Sequence, residues 1–281
     1  MHKELEAAFG RLVAIMQQDE RCKGGWHYGS ISRGEQDMYS DYDPVFLVAD
    51  QDFEALAADA PKLLAEAADE LLLFWGESFN DDHFKNYCSV IRLGDNLHQL
   101  DLFLLNADYP EEWMCRQHCK GCTREHIIFD RTGEVGAFLD RGYRTDNSIP
   151  DPVRAMDTYW LHIEMLIKYF KRKDLFKILK NLDVLFHAHV DLLLSEYDTL
   201  DWGAWESKVK HGVPQELQEH LRLYGAKADF PELEAAVKAA MAAFYEDARA
   251  VCRSKGIAYP DSIPQQIMAY FHRRLSQEEW L

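Results

Sequence analysis

What constrains this chain most is a change of apolar periodicity about halfway along it. Up to about residue 105, short apolar runs bounded by turn residues alternate with helical patterns. Beyond Pro152 the long apolar patterns recur every three to four residues. A chain of this kind cannot spread one sheet over its whole length. It is expected to be α+β, with a small mixed β-sheet domain followed by an α-helical bundle domain. The hinge of the pattern is Ser148-Ile149-Pro150-Asp151-Pro152, where Asp151 can cap a helix and Pro152 can occupy its first position. The expected domains are therefore 1–148 and 149–281.

Within the first half, Leu5, Ala8, Phe9, Leu12 and Met16 predict an amphipathic opening helix. Residues 26–28 and 45–49 predict two strands separated by a polar loop. Residues 53–74, rich in Ala, Leu and Glu, predict one long helix, and 88–93 and 97–105 predict two strands joined by the turn Gly94-Asp95-Asn96. In the second half the predicted helices are 153–172, 175–197, 215–224, 231–255 and 264–280.

With 31 Lys plus Arg against 48 Asp plus Glu, the formal charge of -17 repels long nucleic acids. It favours cationic small molecules instead. No apolar run approaches the ~18–20 residues that cross a bilayer. The opening segment is helical and charged rather than signal-like, so a cytoplasmic protein without membrane contact is expected. Six cysteines then imply reduced thiols.

The chemistry is concentrated in Tyr28-Gly29-Ser30 and Tyr39-Ser40-Asp41-Tyr42-Asp43-Pro44. Asp41 and Asp43 lie two apart at the entrance to a strand, so their side chains share a face. Pro44 keeps Asp43 extended. Two such carboxylates repel each other unless a cation lies between them, and Mg²⁺ prefers oxygen ligands. Asp101 lies inside the run Leu100-Asp101-Leu102-Phe103-Leu104-Leu105, where an uncompensated charge would cost several kcal/mol, on the order of a desolvated ion. Three acids on adjacent strands can hold two Mg²⁺ ions, and the Gly29-Ser30 turn can face phosphate oxygens.

A Gly-Ser turn, an acid-x-acid pair at a strand and a third acid on a later apolar strand together resemble the nucleotidyltransferase superfamily related to DNA polymerase β. The stretch Gly34-Glu35-Gln36-Asp37-Met38-Tyr39-Ser40-Asp41 looks most like lincosamide nucleotidyltransferases and more distantly like aminoglycoside nucleotidyltransferases. The motif covers about the first 105 residues. The resemblance implies Mg²⁺-dependent transfer of a nucleoside monophosphate from a nucleoside triphosphate to a hydroxyl of a small molecule, such as a lincosamide or aminoglycoside antibiotic, with release of pyrophosphate. Asp41 and Asp43 would bind both metal ions, Asp101 would complete the site on the acceptor side, and Gly29 and Ser30 would bind the phosphates. Lys171, Arg172 or Lys177, in the densest basic cluster of the chain, would meet the triphosphate. Glu164 or His162 could assist as a base, although Glu164 is also spaced to pair with Lys168. A homodimer is implied by the resemblance alone.

Other signals compete with this reading. Cys115, Cys119 and Cys122 have a spacing found in iron–sulfur enzymes, and with His118 or His126 they could ligate zinc, although free thiols are the default. His187 and Asp191 share a helical face, but a packing histidine paired with a carboxylate accounts for them as well. Tyr197, Trp202, Trp205 and Tyr224 read as interhelical packing. A non-catalytic nucleotide-binding regulator on the same fold is the alternative to an enzyme.

Overall fold

A computed structural model describes residues 2–141, 149–198, 200 and 204–277. The chain forms two compact units, Met1–Asp146 and Asn147–Leu281. In the first, helix α1 (Lys3–Gln18) buries the stripe Leu5, Ala8, Phe9, Leu12 and Met16. Strand β1 (Cys22–His27) follows, then the single helical turn α2 (Gly29–Ser32), strand β2 (Pro44–Val48), helix α3 (Asp50–Ala67) and strand β3 (Glu70–Gly76). Strands β4 (Phe84–Leu93) and β5 (Asn96–Asn106) form a hairpin closed by Gly94 and Asp95, with Gly94 at φ 57°. A short helix α4 (Trp113–Gln117), strand β6 (Ile127–Asp130) and helix α5 (Glu134–Leu139) complete the unit.

The strands form one six-stranded sheet in the order β3-β4-β5-β2-β1-β6. It is mixed: β2 runs parallel to β5, and the other neighbours are antiparallel. Alternation along β5 sends Leu100, Leu102 and Leu104 into a core with α1 and α3, and Phe103 and Leu105 into a second core on the opposite face. Each such buried side chain contributes about 1.5–3 kcal/mol. Asp101 shares the face of Phe103 and Leu105.

One sequence expectation is corrected here. The helix predicted over 53–74 ends at Ala67, and Glu70–Gly76 is an edge strand paired with β4. The apolar run Leu71 to Trp75 has no helical stripe of its own, and Asp69 accepts a hydrogen bond from the Gly94 amide at 2.7 Å, fastening the chain to the β4–β5 turn. β4 begins at Phe84, four residues before the run that predicted it, and β6 carried no strong apolar alternation.

Among its described residues the second unit has helices and no strands: α6 (Pro152–Lys171), α7 (Leu175–Tyr197), α8 (Trp205–Gly212), α9 (Gln215–Arg222), α10 (Phe230–Lys255) and α11 (Ser262–Ser276). Asp151 caps α6 by accepting from the Val153 amide, with Pro152 at the first position. The core packs Tyr159 flat on Phe244 at 3.5 Å between ring centroids. His189, fully buried, bridges helices by hydrogen-bonding Tyr224 Oη and Asp247 Oδ2, each at 2.9 Å. No described helix is long and apolar enough to cross a membrane.

Candidate active site

Asp101 and Asp43 meet because of strand register. Val45 on β2 is level with Phe103 on β5, so Asp43, two residues earlier, is level with Asp101 across a parallel pair. The Asp101 amide donates to the Tyr42 carbonyl at 3.2 Å, and the Tyr28 amide donates to the Asp43 carbonyl at 3.1 Å. These two bonds hold the segment bearing Asp41 and Asp43 between β5 and the end of β1. One oxygen each of Asp41, Asp43 and Asp101 lies within 4.8 Å of the others, and among the described residues no other His, Cys, Asp or Glu side chains form such a group.

Gly29 makes the corner possible in two ways. Its φ of 63° lies in the left-handed region, and a Cβ there would fall 1.9 Å from Asp43 Oδ2. Only glycine lets the chain turn against that carboxylate. The Ser30 hydroxyl next to it is buried without a hydrogen-bond partner. A buried hydroxyl of this kind is costly unless a ligand completes it.

The electrostatics are those of crowded, partly buried carboxylates. Burial first, then the charges of Asp41 and Asp101, push the Asp43 carboxyl up to about 7, against the opposing pull of Arg33. Burial likewise lifts Asp101 to about 6, helped by the charge of Asp41, although hydrogen bonds from Gln99 and Cys88 favour its ionised form. Gln99 Nε2 donates to both Asp101 oxygens at 3.1 Å, and Cys88 Sγ lies 3.6 Å from Oδ2. A set of three oxygen donors, crowded and partly desolvated, fits Mg²⁺. Arg33, Gln99 and Cys88 were not singled out from sequence. Gln99 had one available signal, since it stands two residues before Asp101 on the same strand face.

The basic residues proposed for the triphosphate lie on the second unit. Lys171 ends α6 and hydrogen-bonds the Gln277 carbonyl, Arg172 is exposed at the helix cap, and Lys177 pairs with Asp174 at 3.2 Å. Glu164 pairs with Lys168 at 3.5 Å, and His162 bonds Asn181 at 2.6 Å. Cys115, Cys119 and Cys122 are buried free thiols, and Cys115 and Cys122 donate to the carbonyls of His83 and His27. His187 pairs with Asp183 rather than Asp191. Trp205 packs on Phe186, and Tyr224 on His189. Trp202 lies outside the described residues.

The fold is thus α+β, with a mixed sheet that carries three converging carboxylates. No family model matches the chain, and no curated protein sequence matches it. Similar solved structures include an aminoglycoside 6-adenyltransferase from Bacillus subtilis, 14% identical with a TM-score of 0.43, covering 99% of this chain and 100% of that one. A nucleotidyltransferase-like protein from Exiguobacterium sibiricum 255-15 is 10% identical with a TM-score of 0.28, covering 90% and 78%.

Proposed function

We propose that the protein is a nucleotidyltransferase, which moves a nucleoside monophosphate from a nucleoside triphosphate to a hydroxyl of a small molecule and releases pyrophosphate. The observation that carries this reading is the convergence of Asp41, Asp43 and Asp101 beside the Gly29 corner with its unpaired Ser30 hydroxyl. Two Mg²⁺ ions bound by the three acids would supply the charge that acidifies the acceptor hydroxyl and neutralises the leaving pyrophosphate.

The remaining work belongs to the chain. Ser30 offers its hydroxyl to the phosphates, and Gly29 keeps the approach clear of a side chain. Gln99 fixes both oxygens of Asp101 so that the carboxylate cannot swing away from the acceptor side. Lys171, Arg172 and Lys177 are proposed as cations for the triphosphate, and Arg172 is the one exposed at the end of α6. Residues 1–148 are read as the catalytic domain, and a cytoplasmic enzyme acting on an antibiotic such as a lincosamide or aminoglycoside is the finer form of the proposal.

The test is to incubate the protein with Mg²⁺, each nucleoside triphosphate and a panel of hydroxylated acceptors while following pyrophosphate. At least one pair should release it about a hundredfold faster than Asp43→Ala does. Release at the Asp43→Ala level for every pair would sink the proposal.

A further inference from the structure

The register of the sheet extends the acid row sideways. Asp43 is level with Asp101, Asp101 pairs with Cys88, and Cys88 pairs with Trp75 at the sheet edge. Directly paired residues share a face, so Trp75 stands on the face that carries the acids. The contact of Cys88 Sγ with Asp101 confirms the face for the middle of the row. The next row repeats the pattern, with Gln99 paired to Val90 and Val90 to Leu73. A bulge at Leu72, between the pairs Leu71–Ile91 and Leu73–Val90, is what turns Leu73 and Trp75 to this side while Leu71 stays in the core.

This floor is open and partly apolar, with Glu77 Oε1 and Asn86 Oδ1 each 3.9 Å from Cys88 Sγ at its middle. Trp75 is 57% exposed and Leu73 52% exposed, on an edge strand of an acid-rich chain. Trp75 lies two strands from Asp101, which is about 10 Å at ordinary strand spacing. Resting on the nucleotidyl-transfer reading, we propose that the β3–β4 face is the acceptor floor. It takes a hydroxyl-bearing molecule that carries an apolar ring about 10 Å from the reacting hydroxyl, with the ring lying on Trp75. The continuity of the row with the acids selects this occupant: a molecule whose hydroxyl is held at Asp101 and whose body runs along the row crosses Cys88 and reaches Trp75. Exposed tryptophan offers such a ring a large flat surface at little entropic cost.

The test uses the full chain, with and without Mg²⁺ and ATP, and two matched probes, 4-nitrophenyl β-glucoside and methyl β-glucoside. Calorimetry and saturation-transfer NMR should find the aryl glucoside bound about tenfold more tightly, with saturation centred on its ring. Trp75→Ala should erase the difference, Trp75→Phe should retain most of it, and Trp113→Ala, at another exposed tryptophan, should leave it unchanged. Equal binding of the probes, no binding of the aryl glucoside, or an unchanged difference in Trp75→Ala would overturn the proposal. So would sedimentation showing that Trp75→Ala splits a dimer, since a second copy would then own the face. Mn²⁺ binding followed by electron paramagnetic resonance in Asp43→Asn tests the metal site separately, so failure there is distinguishable from failure at Trp75.

Discussion

Gly29 runs so close to the Asp43 carboxylate that no side chain fits between them. Gly29→Ala introduces both a strained φ and a Cβ inside the carboxylate's envelope. It should cost about 1–3 kcal/mol of stability by chemical denaturation and at least about a hundredfold in pyrophosphate release. The acids also predict a pH dependence. Asp43 and Asp101 keep their protons to higher pH in the folded protein than in the unfolded chain, with folded values of about 7 and about 6. At these two groups the metal-free fold therefore binds more protons between about pH 4 and pH 7, and the stability they contribute is full below that window and is lost as pH rises through it. Calorimetry in chelator should show a melting temperature that drops from pH 5 to pH 8, with Mg²⁺ reversing the drop. Asp43→Asn should melt higher than the parent at pH 8 in chelator, and a lower value would contradict the assigned burial and repulsion.

At the level of elements, the second unit offers a different kind of polar dependence. Asp247 on α10 accepts from His189 on α7 and His220 on α9, so one buried carboxylate ties three helices. Asp247→Ala removes both bonds and leaves a small cavity, and should cost roughly 2–4 kcal/mol in urea unfolding. The sequence disclosed unequal amounts of this architecture. Asp101 was legible because a charge between leucines has few explanations, and the face shared by Asp41 and Asp43 followed from the two-residue period of an extended chain. The α6 start was legible from Asp151-Pro152. The β3 strand was not, because a leucine-rich run after an alanine-rich helix reads as its continuation, and only the long-range pairing with β4 makes it extended. Trp75 was hidden for the same reason, since its face is set only by that pairing. The pairing of His189 with Asp247 spans 58 residues, a separation no local pattern encodes.

For the molecule as a whole, the charge of -17 sets the response to ions. Self-repulsion should be relieved by screening, so raising monovalent salt from about 10 mM to about 150 mM should raise the melting temperature by a few degrees at pH 7.5. A melting temperature that falls would show that attractive ion pairs outweigh the repulsion. The two faces of β5 carry a longer consequence. Leu100 and Leu102 are locked into one interior while Asp101 looks out from the other side, so any substitution that shifts the carboxylate must first rebuild a hydrophobic core. On the nucleotidyl-transfer reading, selection for new acceptors would then find the acid-bearing end of the strand nearly immovable and the outlying β3 edge cheap to vary. In descendants of this chain, changes of specificity should accumulate at the rim of the sheet while its centre stays still.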